Sequence, residues 1–220
     1  MHLAHFLLPP RPINQSVRRD MQKVFITGVA GFLGAHLAKK MFDEGWIVAG
    51  NDNFIGADKS NVRDFVDFFD IDCCDLNEMQ KAMADSDLVF HCAATAHEGL
   101  SVFSPSFITK NNYEASVSTF TAAINCGVKR VVFCSSMARY GNQPTPFTED
   151  MRPEPVDPYG IAKFAAEETL KVLCKVHGIQ WNIAVPHNIV WEGQKYDDPF
   201  RNVISIMLYR NLQGLPSVIY

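Results

Sequence analysis

The sequence predicts an α/β protein, a doubly wound and mostly parallel sheet with helices on both faces. Three observations carry this. From Lys23 onward, short apolar runs of strand length alternate with longer amphipathic segments. Glycines stand just past the amphipathic segments, at Gly45, Gly127 and Gly178. A glycine-rich turn joins the first apolar run to the first amphipathic segment. Strand–helix–strand units of this kind cross over right-handedly, so the strand C-termini share one edge, and ligands bind in the crevice there.

Taken in order, Val24-Phe25-Ile26 reads as a buried strand, Phe32 to Glu44 as a helix and Ile47-Val48-Ala49 as the second strand. Asp67-Phe68-Phe69 is a weaker third strand, Asn77 to Ala84 a helix and Asp87 to Phe90 the fourth strand. Ile108 to Asn125 suits a long helix, and Arg130 to Cys134 a fifth strand. Pro158 to Val176 is helical, Trp181 to Val185 is the sixth strand, and Phe200 to Asn211 is a further helix.

The 220 residues suffice for one full α/β domain and the start of another, and 47% hydrophobic content allows a substantial core. The net charge of −4, with both signs mixed along the chain, argues against a nucleic-acid partner. No apolar run approaches the ~20 residues of a membrane span. Six cysteines show no CxxC pair and no zinc spacing, so no metal site is expected, and the thiols read as reduced and cytoplasmic. Residues 1–20, with Pro9, Pro10 and Pro12, read as a loosely ordered extension without a signal-peptide pattern. Residues 21–185 then read as one α/β domain, with the start of a second region over 186–220.

Thr27-Gly28-Val29-Ala30-Gly31-Phe32-Leu33-Gly34 links the first strand to the first helix. Gly28 permits a tight turn, Gly31 lets a pyrophosphate approach the backbone, and Gly34 lets helix and strand pack closely. The helix N-terminus offers free N–H groups to the phosphates, with Ala30, Phe32 and Leu33 along the same turn. An acidic residue, Asp52, follows the second strand near the ~20-residue offset of a ribose-binding carboxylate, with Asn53 beside it. A carboxylate there favours NAD over NADP. Asp75-Leu76 follows the third strand, where Asp75 either bonds the adenine amine or caps the next helix. Cys92-Ala93-Ala94, after the fourth strand, are small enough to let the dinucleotide pass. His97 and Glu98 beyond them read as a solvated loop rather than sugar contacts.

The most informative stretch is Asp157-Pro158-Tyr159-Gly160-Ile161-Ala162-Lys163. Tyr159 and Lys163 stand four apart on one helical face, near a helix start marked by Asp157 and Pro158. A free tyrosine has a pKa of ~10. A nearby ammonium, the helix N-terminus and an oxidised nicotinamide all favour its phenolate, which makes Tyr159 a credible general base. Ser136, just after the fifth strand, places a hydroxyl in the same crevice.

Together these segments resemble the Rossmann-type extended short-chain dehydrogenase/reductases, and among them the NAD-dependent sugar-nucleotide epimerases and dehydratases. The resemblance runs from Lys23 to the end of the chain. It implies a catalytic set of Ser136, Tyr159 and Lys163, with Lys163 also on the nicotinamide ribose. It implies that Asn112 supports the active site, that Pro186 and His187 contact nicotinamide, and that Ser136 and Asn188 meet the substrate. In this family the tyrosine takes a proton from a sugar hydroxyl as NAD takes hydride from the same carbon. Dehydratases usually carry Asp-Glu after the active hydroxyl residue; here Met137-Ala138 follow Ser136. The resemblance therefore implies a UDP-sugar 4-epimerase working through a keto intermediate. The alternatives are a dehydratase or reductase of the same family, or a non-catalytic NAD-binding module. It also implies a homodimer, formed through the helix after the fourth strand and the Tyr-x-x-x-Lys helix. Two departures stand out. Trp191 occupies the family's usual glycine, and the chain ends where the family's substrate region continues, so that region is expected to be truncated.

Overall fold

A computed structural model describes residues 22–191, 194 and 203–217. The extension expected over residues 1–20, and its boundary at Met21, lie outside the described residues. Six strands form one sheet: β1 (Lys23–Thr27), β2 (Ile47–Asp52), β3 (Asp67–Asp70), β4 (Leu88–His91), β5 (Arg130–Cys134) and β6 (Gln180–Ala184). The order is β3-β2-β1-β4-β5-β6 and every pair is parallel. The order reverses between β1 and β4, which opens a crevice at their C-terminal ends.

The central strands are apolar on both faces because both faces are covered. Val24, Ile26 and Val48 pack with Val29 and Ala38 on one side, beneath α1 (Phe32–Asp43). Phe25, Ala49, Val89 and Phe133 pack on the other, with residues of α2 (Leu76–Met83), α5 (Ala115–Asn125) and α6 (Pro158–His177). Each such large side chain, fully buried, contributes roughly 1.5–3 kcal/mol. α6 starts with Pro158 at its first turn and Asp157 as cap, which accepts from the Tyr159 and Gly160 amides at 2.9 and 3.0 Å. It stops at Gly178, which is left-handed at φ 67°. No helix among the described residues is long and apolar enough to cross a membrane.

Two segments differ from expectation. The four-residue helix α3 (Glu98–Ser101) lies in the stretch read as a loop, being too short to show a helical period. The helix expected from Ile108 begins at Pro105, as α4 (Pro105–Thr109), because proline suits a first turn. It then widens into a π-helical turn over Lys110–Glu114 before α5. Such a turn leaves no mark on sequence periodicity and often accompanies a functional site. The last expected helix is α7 (Val203–Leu212); residues 200–202 of that expectation lie outside the described residues.

Candidate active site

A cleft of about 880 Å³ follows the C-terminal edge of the sheet. It runs from Asp52 and Asp72, past the glycine turn and Cys92-Ala93-Ala94, to Ser135, Tyr159, Lys163 and Pro186. Gly28, Ala30, Gly31, Phe32, Leu33 and Asn53 also line it.

The glycine turn is as tight as the spacing demands. Gly28 has φ 68°, and its carbonyl accepts from the Gly31 amide at 3.0 Å. A Cβ on Gly34 would stand 2.1 Å from the Gly28 carbonyl oxygen, so α1 packs directly on the turn. Gly31 caps α1 without a side chain, which leaves the first N–H groups of the helix to meet an anion.

Asp52 sits at the end of β2, buried, with both carboxylate oxygens on backbone amides: Ala30 at 3.1 Å and Phe54 at 2.8 Å. Phe54 is left-handed at φ 58°, and the Asp52 bond holds that bend. Burial pushes the Asp52 carboxyl up, and these amides oppose the rise. At the next strand the acid in the cleft is Asp72, not Asp75. Asp72 accepts from the Asn53 amide at 3.2 Å and lines the cleft with Cys73. Asp75 caps α2 by accepting from the Glu78 amide at 3.1 Å, and Leu76 lies in that helix away from the cleft. Of the two readings of Asp75, the structure supports capping. Once the structure ends β3 at Asp70, Asp72 carries the same signal as Asp52, an acid at the close of a strand.

Beneath the cleft a buried chain of hydrogen bonds joins β1, β4 and the π turn. Thr27 Oγ1 accepts from the Cys92 and Ala93 amides, each at 3.1 Å, which occupies both lone pairs. Its own hydrogen therefore goes to His91 Nδ1, 2.7 Å away. His91 Nε2 then carries the ring proton and donates to Ser116 Oγ at 2.8 Å, and Ser116 donates to the Asn112 carbonyl. Burial, with the nearby Lys163 charge, pulls the His91 pKa down to about 3 and keeps the ring neutral. Asn112, expected to support the active site, is fully buried and does not itself line the cleft. Its amide donates to the carbonyls of Thr95, at 3.2 Å, and Ile108, at 2.8 Å. The side chain acts through Thr95, which does line the cleft.

At the far end, Lys163 Nζ donates to the Cys134 carbonyl at 2.9 Å and lies 6.0 Å from the centre of the Tyr159 ring. Burial pulls the Lys163 pKa down to about 8. Burial pushes the Tyr159 pKa up to about 12; an interaction with Ser136 opposes this, while Glu98 and Asp157 add to it. The protein's own groups thus leave Tyr159 a phenol, where sequence reasoning expected the lysine and the helix start to favour phenolate. The cause is the depth of the site: Tyr159 is 7% exposed. Ser136 caps the short 3₁₀ turn Met137–Tyr140, 3.2 Å from the Ala138 amide, and reaches Tyr159 from outside the cleft lining.

Several participants carried no motif. Ser135, in the lining, donates to Glu167, a fully buried carboxylate one turn past Lys163 that also pairs with Arg139 at 2.8 Å. His97 is buried and lines the cleft, which overturns the solvated-loop reading for that residue. Pro186 lines the cleft, but His187 and Asn188 are exposed outside the lining, their side chains 3.2 Å apart. Trp191 is 65% exposed and does not fill the cleft.

Residues 24–220 match the model of the NAD dependent epimerase/dehydratase family. The chain is 27% identical over 202 residues to a putative UDP-glucose 4-epimerase of Methanocaldococcus jannaschii, covering 90% of this chain and 65% of the relative. It superposes with TM-score 0.86 on the UDP-N-acetylglucosamine 4-epimerase of Methanobrevibacter ruminantium, solved with UDP-N-acetylmuramic acid, at 30% identity over 91% of this chain and 66% of that one. For the Thermus thermophilus UDP-glucose 4-epimerase solved with NAD, the TM-score is 0.83 and the identity 30%, over 89% and 64%. The chain thus spans just under two thirds of the length of these relatives. With the parallel sheet, the glycine turn and the Tyr159–Lys163 pair in one cleft, this match means that the chain belongs to the NAD dependent epimerase/dehydratase family.

Proposed function

We propose that the cleft binds NAD and that the chain carries the catalytic residues of a UDP-sugar 4-epimerase working through a keto intermediate. One observation carries this reading: a single continuous cleft joins the Asp52 carboxylate, the uncapped α1 N-terminus and the Tyr159–Lys163 pair. The residues fit the cofactor along its length. Asp52 would accept from the adenosine ribose hydroxyls, and Asp72 from the adenine amine. The Gly28–Gly34 turn would take the pyrophosphate. One Lys163 donor is spent on the Cys134 carbonyl, which leaves two for the nicotinamide ribose.

Bound in oxidised form, NAD would supply a hydride acceptor and a fixed positive charge. Tyr159 would take the proton of the sugar 4-hydroxyl and return it after the keto sugar turns over. Its pKa of about 12 lies far above neutral pH, and the positive charge of a bound oxidised nicotinamide would lower it. Ser136 would hold the sugar oxygen. Met137 and Ala138 bring no carboxylate to Ser136, so epimerisation fits better than loss of water.

A second copy of the chain is the proposed partner, through α4, α5 and α6, where Phe107 and Ile161 are exposed. Six cysteines, none paired, fit a reducing cytoplasm. The test is a proton NMR time course with NAD and either UDP-glucose or UDP-N-acetylglucosamine. Appearance of the 4-epimer upholds the reading, and a 4-keto-6-deoxy product overturns it. Tyr159→Phe is expected to abolish turnover while NAD stays bound; near-normal turnover would remove Tyr159 from its role.

A further inference from the structure

Two thiols in the cleft take no part in that chemistry. The parallel register pairs His91 with Phe133, so the next residues, Cys92 and Cys134, stand side by side at the ends of β4 and β5. Their sulfurs are 3.6 Å apart, and both residues line the cleft between the glycine turn and Lys163. Adjacent strands lie ~4.8 Å apart, within the ~4.4–6.8 Å between Cα atoms that a disulfide spans. Closing 3.6 Å to the ~2 Å of a sulfur–sulfur bond therefore asks for side-chain rotation and not for parting the strands.

We propose that Cys92 and Cys134 form a redox-active dithiol, which a peroxide converts to a disulfide and which a bound dinucleotide shields. The two thiols are not equivalent. The Cys92 hydrogen bond, with the Lys163 charge, draws the Cys134 thiol down, while that same bond pushes Cys92 up. Cys134 is the nucleophile. Its thiolate attacks one peroxide oxygen, the O–O bond breaks, hydroxide leaves, and the sulfur becomes a sulfenic acid. Cys92 sulfur then displaces that hydroxyl, the S–S bond forms, and the Cys92 proton leaves with the hydroxyl as water. In sum, two thiols give up two electrons and two protons, and one peroxide becomes two waters. Burial pushes Cys73 and Cys74 up to about 11 and about 12, so the neighbouring vicinal pair reacts more slowly.

The shielding rests on the proposed dinucleotide site; the dithiol itself does not. The test treats the reduced full chain with equimolar hydrogen peroxide, quenches with iodoacetamide and maps the peptides by mass spectrometry. The expected product is a Cys92–Cys134 linked peptide, with the chain about 2 Da lighter and the change reversed by dithiothreitol. Cys92→Ala is expected to stop Cys134 at the sulfenic acid, which dimedone traps. NAD at about ten times its Kd, measured by calorimetry on the reduced chain, is expected to slow linking about tenfold. Linkage of Cys73 to Cys74 instead, or recovery of Cys92 and Cys134 as free thiols, overturns the proposal. Linking at an unchanged rate under saturating NAD overturns the shielding. A chain that forms the link but binds no NAD upholds the dithiol and overturns the dinucleotide reading.

Discussion

Replacing Lys163 by methionine should stabilise the fold at pH 7 and remove the proposed activity. Lys163 is 2% exposed, and burial pulls its pKa from 10.5 to about 8. That difference corresponds to about 3 kcal/mol by which the folded chain disfavours the ammonium. Because the folded pKa lies below the unfolded one, the cost is complete below about pH 8. It is relieved as pH rises towards 10.5, where the folded chain has shed a proton that the unfolded chain still holds. Methionine has similar length and no charge. It also leaves the Cys134 carbonyl without its donor, a loss of ~1–3 kcal/mol that acts at every pH. The diagnostic is therefore the pH dependence of the gap. In urea unfolding, Lys163→Met should gain on the unmodified chain at pH 7, and the gap should shift by roughly 2–3 kcal/mol in favour of the unmodified chain by pH 10. A gap that is the same at both pH values would refute the reasoning, since a lysine with an ordinary pKa in the fold has nothing to relieve.

Asp52→Asn removes the charge that would accept from the ribose, so NAD affinity by calorimetry should fall about ten- to hundredfold, with NADP losing less. His91→Phe should flatten acid sensitivity. The His91 pKa of about 3 lies below its unfolded 6.5, so its stability is present above pH 6.5 and lost on acidification, by about 2 kcal/mol between pH 7 and pH 5. Equal slopes of unfolding free energy against pH in variant and unmodified chain would count against the buried neutral ring. Gly34→Ala would set a Cβ 2.1 Å from the Gly28 carbonyl oxygen, so it should cost more than about 2 kcal/mol in urea unfolding and abolish NAD binding.

The sheet and both ends of the proposed cofactor site were legible from local patterns along the chain. A buried parallel strand is a short apolar run, a helix end is a glycine at a fixed offset, and a phosphate turn is three glycines in seven residues. All of these are written within one or two dozen neighbouring residues. Tyr159 and Lys163 were legible for the same reason, being four apart on one helix.

The features that were not legible lie between segments distant in the chain. Asp72 rather than Asp75 enters the cleft because of where β3 stops against β2, not because of any local pattern. The bonds joining Thr27, His91, Ser116 and Asn112 connect residues up to 64 apart, and their direction follows from lone pairs filled across strands. The depth that makes Tyr159 a phenol and Lys163 a weakened base is a property of the packed site. So is the meeting of Cys92 with Cys134, two thiols 42 residues apart that only the β4–β5 register brings within contact. Local periodicity follows from backbone geometry, whereas burial and cross-strand adjacency exist only once the sheet has formed.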